Sequence, residues 1–205
     1  MTMQTVKIYS FNVRGLGGTA KRIAIFSWLK KYHNGIHFLQ ETHSSVNTEE
    51  KWIKEWGSNV KFCHGSTNSR GVAILCNKNI DLNIEETIKD NTGRMILINC
   101  KIYEKSFTLV NIYCPTKDNE SLQLKFLTFI EDTIEKYGHE NIILGGDVNT
   151  YLDVIKDKKG GLYEKESNYA KKMKFMLDLY NIVDIWRVRN PNIERSLEEK
   201  IVELA

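Results

Sequence analysis

The residues of this chain best suited to chemistry are Asp147 and Asn149, delivered by the run Ile-Ile-Leu-Gly-Gly-Asp-Val-Asn-Thr at 142–150. An acid and an amide two residues apart on an extended chain point the same way. Apolar Ile142, Ile143 and Leu144 read as a strand buried on both faces. The two glycines let backbone pass close to something beyond the strand's carboxyl end, where α/β sheets place their ligands. Alone, Gly-Asp-Val-Asn reads more readily as an ordinary strand followed by a polar turn, and it gains weight only in company. Three other apolar runs break off in the same manner: Ile8–Gly15 ends near Asn12, Ile36–His43 on Glu41, and Leu109–Pro115 carries Tyr113 to a proline-stopped end. Carboxylates, amides and a phenol, with no Cys and few His among them, suit a hard, oxygen-preferring cation such as Mg²⁺. Phosphate chemistry is the natural use of that donor set.

The elements that must position these residues alternate along the chain. After the Asn12 strand, Ile23, Phe26 and Leu29 repeat at helical spacing over 19–32, and Glu49–Trp56 predicts a shorter helix. Strands are expected at Val60–His64, Gly71–Asn77 and Arg94–Ile102, with Phe107–Cys114 following a polar hairpin turn, Tyr-Glu-Lys-Ser. Asn119–Tyr137 is a clear amphipathic helix stopped at Gly138, and another helix runs through Asn168–Tyr180. This mixture of hairpins and helices suits two stacked sheets covered by helices.

With 205 residues, 41% of them hydrophobic and 27% charged, the chain is most simply one globular domain with a substantial core. Cys63, Cys76, Cys100 and Cys114 form no Cys-x-x-Cys pair and sit near or within apolar strand-like runs, which argues for reduced core or edge residues. The absence of a signal-like or membrane-length apolar stretch leads to the expectation of an intracellular protein, nuclear or cytoplasmic, without a membrane partner. A net charge of +3 is weak evidence for a polyanionic partner. Lys156, Lys158 and Lys159 follow the Asp147 strand in a Gly-rich loop; they would either contact backbone phosphates or belong to a solvated loop.

Five motifs stand in a fixed order: Phe-Asn-Val-Arg-Gly-Leu at 11–16, Leu-Gln-Glu-Thr-His at 39–43, Gly-Val-Ala-Ile-Leu at 71–75, Asn-Ile-Tyr-Cys-Pro at 111–115 and Gly-Asp-Val-Asn-Thr at 146–150. On these motifs the chain resembles the endonuclease/exonuclease/phosphatase superfamily, and within it the apurinic-nuclease-like endonuclease domain of LINE-type non-LTR retrotransposons. Arg14 favours that branch, because cellular apurinic-site nucleases typically carry an acid there. The resemblance implies an α+β fold, a two-sheet β-sandwich flanked by helices of the deoxyribonuclease I-like four-layer α/β/β/α kind. It also implies Mg²⁺, with Mn²⁺ as a substitute, and site roles for individual residues. Glu41 would bind the metal and Asn12 line it, Asp147 would orient or deprotonate the attacking water with Asn149 holding it in register, and Tyr113 would face the scissile phosphate. Arg14, with the three lysines, would contact DNA, and His43 would support the site from behind Glu41. The implied partners are the DNA phosphate backbone and the reverse transcriptase region of a longer polyprotein; oligomeric state is left open.

The departure from the family pattern is equally informative. The resemblance covers residues 5 to 191 and then breaks: the family's Arg-x-Asp-like strand and Ser-Asp-His motif do not occur. The domain is therefore expected at 1–191, lacking its last strands, with a divergent tail at 192–205. In that tail Ile193, Leu197, Ile201 and Leu204 form a helical stripe. Missing strands would leave a sheet edge unpaired. Three functions are compatible with these readings: a Mg²⁺-dependent DNA endonuclease of weak or no activity, a non-catalytic retrotransposon-derived remnant that binds nucleic acid or metal, and a small-phosphoester phosphatase, which Arg14 and Gln-Glu-Thr-His disfavour.

Overall fold

The computed structural model describes residues 5–31, 35–152, 157, 165–191, 193 and 200–204. The chain divides into two compact units, Met1–Tyr113 with His139–Asp147 and Lys200–Ala205, and Cys114–Gly138 with Val148–Glu199. Among the described residues the first unit contains nine strands: β1 (Val6–Asn12), β2 (Gly35–Gln40), β3 (Val60–Cys63), β4 (Val72–Cys76), β5 (Leu82–Lys89), β6 (Met95–Ile102), β7 (Lys105–Tyr113), β8 (Ile142–Asp147) and β9 (Lys200–Leu204). They form two sheets, ordered β3-β4-β2-β1-β9 and β5-β6-β7-β8. Pairing is parallel for β1 with β2 and for β7 with β8, and antiparallel elsewhere.

Alternation along the strands explains the stacking. Ile8, Ile36, Phe38 and Ile74 face Ile96, Ile98 and Leu109 of the other sheet in one core. Their neighbours Leu39, Ala73 and Leu75 point outward, against Phe26 and Leu29 of α1 (Thr19–Leu29) and Trp52 and Trp56 of α2 (Val46–Trp56). The two-sheet α+β sandwich expected from the sequence is thus present. Between the sheets lies a buried polar seam: Gln40 Nε2 donates to Asn111 Oδ1 at 2.8 Å, and Asn111 Nδ2 donates to the carbonyls of Leu39 (3.0 Å) and Ala73 (2.8 Å).

The second unit holds α3 (Glu120–Tyr137), α4 (Asn168–Leu179) and α5 (Ile185–Arg189). Asn119 and Ser167 cap α3 and α4 with their side-chain oxygens, accepting from Leu122 N and Ala170 N. The hydroxyl of Tyr180, at the end of α4, donates to the Glu131 carbonyl of α3 at 3.2 Å.

Several expectations change in physical detail. Ile142, Ile143 and Leu144 are half-buried and not covered on both faces, because β8 is a sheet edge with one neighbour. On α1 the buried face is Arg22, Phe26 and Leu29, while Ile23 is 49% exposed. Arg22 displaces an apolar residue there because its charge is fully used: Nε and Nη2 clamp Glu55 at 2.6 and 3.0 Å, and Nη1 donates to Leu16 O at 2.9 Å. Strand β5 has no counterpart in the sequence reading, since its burial alternates irregularly around a bulge between Ile84 and Glu86. The tail also differs. Residues 200–204 are not helical but form β9, paired antiparallel with β1 from Val6↔Leu204 to Ser10↔Lys200. The free edge of β1 offers a row of backbone hydrogen-bonding groups, and satisfying them outweighs the helical periodicity of a short segment. The rest of the proposed tail helix, apart from Ile193, lies outside the described residues.

His37, on β2, is fully buried between Tyr9 (5.3 Å, stacked) and Trp56 (5.7 Å, edge-on). One ring nitrogen meets Asn77 Oδ1 at 2.8 Å, the other has no hydrogen-bond partner among the described residues, and burial pulls the imidazole down from 6.5 to about 4. The unfolded chain takes up a proton below 6.5 that the folded one refuses until about 4, so this group costs stability progressively as pH falls through that window. Over the whole window the loss amounts to roughly 3 kcal/mol at 1.36 kcal/mol per pKa unit. Urea unfolding of wild type and His37→Phe at pH 7 and pH 4 should show a smaller acid-induced loss in the variant; equal losses would refute a buried neutral histidine.

Candidate functional site

Parallel pairing brings the candidate residues together at one end of the first unit. Asn12 registers with Gln40, one residue before Glu41, and Tyr113 registers with Asp147. The Asn12 amide then bridges the two sheets: Nδ2 donates to Glu41 Oε1 at 2.7 Å and to Asp147 Oδ2 at 3.1 Å. Its carbonyl oxygen accepts from Arg14 N at 3.1 Å, which turns the NH₂ toward the carboxylates. The Tyr113 side chain hydrogen-bonds Glu41, and its hydroxyl is pushed up to about 12, first by burial and then by that bond and the Glu41 charge. Arg94 opposes the shift, lying 5.2 Å over the Tyr113 ring with Nη1 donating to the Tyr113 carbonyl at 3.1 Å. Asn12, Glu41, Tyr113 and Asp147 therefore form one cluster.

The glycines before Asp147 serve the sandwich interior instead of a ligand. A Cβ on Gly145 would come within 2.8 Å of the Phe38 ring, and one on Gly146, at φ 132°, within 1.9 Å of the Ile112 carbonyl oxygen. Only glycine lets β8 approach its neighbours closely enough to bring Asp147 to Asn12.

Four of the residues singled out in the sequence hold left-handed backbone without being glycine: Arg14 (φ 48°), Glu41 (53°), His43 (54°) and Asn149 (49°). Such conformations persist only where the surroundings enforce them. Nested loops supply that enforcement in the first unit. Gly15 N donates to Glu41 O (2.7 Å), His43 N to Arg70 O (2.9 Å), Gly71 N to Gly93 O (2.9 Å) and Tyr113 N to Arg94 O (2.7 Å). The Lys21 ammonium closes the series on the carbonyls of Val13 and Arg14 at 2.7 and 2.8 Å. The His43 ring lies over Gly15, whose Cβ would meet Nδ1 at 2.8 Å, so the histidine braces the Asn12 and Glu41 loops against each other.

Asn149 belongs to the second unit, where its amide donates to the Cys114 carbonyl at 2.6 Å. Lys156, Lys158 and Lys159 lie outside the described residues. Arg70 and Arg94 escaped the sequence reading: nothing about Ser-Arg-Gly or Gly-Arg-Met tells which loops nest beside Glu41 and Tyr113. All four cysteines are buried and none is in a disulfide, as expected for core thiols.

The donor set fits a hard divalent ion. Magnesium is commonly held by one or two carboxylates, the remaining positions going to water and substrate phosphate, and Glu41 and Asp147 flank a single amide with no thiol among them. Among the described residues no group of three or more His, Cys, Asp or Glu side chains could enclose a metal by itself.

Residues 9–181 match the Endonuclease/Exonuclease/phosphatase family, and that span carries all five ordered motifs. The chain belongs to this family. A Xenopus laevis relative, "Transposon TX1 uncharacterized 149 kDa protein", is 26% identical over 187 residues, covering 91% of this chain and 14% of its own length. The Xenopus laevis DNA-(apurinic or apyrimidinic site) endonuclease 2 is also 26% identical, covering 71% of this chain and 36% of its own length. This family domain thus spans well under half of either relative. Its fold is that of the crystal structure of an AP endonuclease from Leishmania major, with a TM-score of 0.74 at 16% identity, over 93% of this chain and 71% of that one.

The Tyr113 environment gives a direct test. A difference titration at 295 nm between wild type and Tyr113→Phe should place the phenol near 12. Glu41→Gln should bring it part of the way toward 10, because burial, the larger cause, remains. An ordinary phenol unaffected by Glu41→Gln would contradict the Tyr113–Glu41 contact.

Proposed function

We propose that this domain is a divalent-metal-dependent phosphodiesterase acting on DNA, the endonuclease part of a retrotransposon-type protein. The observation that carries the proposal is the Asn12 amide held between Glu41 and Asp147, with Tyr113 on Glu41 and Arg94 beside it. The transposon and apurinic-site endonuclease relatives support the same reading. Mg²⁺, held by Glu41 on the Asn12 side, would supply charge neutralisation at a phosphoryl oxygen.

The chain's own groups account for the other requirements. Asp147 is a carboxylate fixed by Asn12 at 3.1 Å, suited to accept a proton from an attacking water and to aim it. The Tyr113 hydroxyl, kept protonated by its raised pKa, donates and does not add a negative charge facing phosphate. Asn149 keeps the segment after Asp147 in register through its bond to Cys114 O. Arg14, Arg70 and Arg94 sit on neighbouring hydrogen-bonded loops and would contact the phosphates of a DNA backbone, a role that would also suit Lys156, Lys158 and Lys159. Reverse transcriptase in a longer polyprotein is the natural consumer of a nick with a free 3′ end.

A second reading, a non-catalytic remnant that binds nucleic acid or metal, rests on one observation: this sequence carries no Ser-Asp-His motif. One missing donor to developing charge costs about 10²–10³ in rate. The purified chain should accordingly nick supercoiled plasmid in Mg²⁺ slowly, with the residual activity abolished by EDTA and by Asp147→Ala. Fast nicking that needs Asp147 would refute the weak-site argument. Silence from a chain shown by circular dichroism to be folded would favour the remnant.

A further inference from the structure

We propose that His64 is a positioning residue for Glu41, a role that rests on the assignment of Glu41 to the metal and phosphate site. Glu41 and His43 are both left-handed, at φ 53° and 54°, yet the segment between β2 and α2 contains no glycine to ease this. What holds it lies on its inner side. Burial alternates along the segment: Thr42 and Ser44 are 0% exposed, while Glu41, His43 and Ser45 are partly exposed. The two buried hydroxyls need partners, and they find them in one continuous chain.

Thr42 Oγ1 donates to Ser44 Oγ at 3.0 Å, Ser44 Oγ meets His64 Nδ1 at 2.9 Å, and His64 Nε2 meets Glu49 Oε2 at 2.6 Å. A carboxylate only accepts, so Nε2 carries a proton; in the neutral ring Nδ1 then accepts from Ser44, leaving Ser44 to accept from Thr42. Every proton in the series has one acceptor, running from the loop through the ring to the carboxylate. The ring is further held by stacking on Phe62 at 5.7 Å. His64 thereby ties three elements together: the Glu41 loop, the end of β3, and the first turns of α2, whose capping box is formed by Ser45 and Thr48 immediately after Ser44.

The Ser-His-Glu sequence of contacts resembles a nucleophile with its base, but fully buried Ser44 is closed to any substrate. Its function is mechanical. Without the His64 acceptor, Ser44 and Thr42 keep their burial and lose their anchor, and the left-handed residue between Gln40 and Thr42 is free to relax. The Glu41 carboxylate then leaves Asn12 and Tyr113.

The test compares His64→Phe, which keeps the ring stack and removes both hydrogen bonds, with His64→Asn, whose side-chain oxygen can replace Nδ1 as acceptor for Ser44. Amide hydrogen exchange is read at Gly15, Thr42 and His43, which donate to Glu41, Gly71 and Arg70 carbonyls, and at the β6–β7 ladder as internal reference. In His64→Phe the three loop amides should exchange about tenfold faster or more, with the β6–β7 amides unchanged and His64→Asn close to wild type. Where the wild type nicks plasmid, kcat should fall in His64→Phe with KM for DNA nearly constant, and Asn should restore it. Unchanged loop exchange in His64→Phe would overturn the proposal, and so would equal acceleration in both regions, which would mean a general loss of stability. Exchange needs no turnover, so a chain that proves inactive as a nuclease still answers the question about His64.

Discussion

The candidate site depends on how two stacked sheets are held in register, and a buried amide pair does that. Gln40 and Asn111, 1% and 0% exposed, hydrogen-bond across the sandwich at 2.8 Å. Any slip of the two sheets would disrupt a close-packed apolar interface and would also leave two buried amides without their partners. Asn111 also reaches the carbonyls of Leu39 and Ala73, and Gln40 reaches Ser10 Oγ at 3.1 Å, so β1, β2, β4 and β7 share one polar fastening. Glu41 follows Gln40 directly and Tyr113 lies two residues past Asn111. The fastening therefore sets where the two sheets present their ends, and the contact of Asn12 with both Glu41 and Asp147 follows from it.

Beyond the seam, the site is an exercise in enforcing unfavourable backbone. Glu41 projects from a left-handed residue next to a straight buried strand, which turns its carboxylate sharply aside. The loops around it bond to one another in sequence, from Gly15 through Glu41, His43 and Arg70 to Gly93 and Arg94. Arg22 ties the loop before α1 to α2, its guanidinium occupied by Glu55 and by the Leu16 and Gly17 carbonyls. The loops around the candidate site are thus ordered by polar contacts, with the apolar core behind them.

The tail illustrates how topology overrides local pattern. Residues 200–204 complete the first sheet beside β1. That strand carries Asn12 at its far end, so pairing along Val6–Ser10 steadies the element that brings the amide to the carboxylates.

By itself the sequence determined the broad fold and pointed to the polar residues that gather at the strand ends. Ordered motifs at strand ends named Asn12, Glu41, Tyr113 and Asp147, because apolar runs ending in polar residues survive as a one-dimensional signal. The helices at 120–137 and 168–179 were legible for the same reason, their apolar period being local. What only tertiary structure decided were relations between residues far apart in the chain. Arg94 beside Tyr113, Arg22 as a core residue, His64 behind Glu41 and the glycines seated against Phe38 and Ile112 depend on pairings across tens of residues, which leave no periodicity. The tail strand was misread because a free sheet edge, not the segment's own pattern, dictates its conformation.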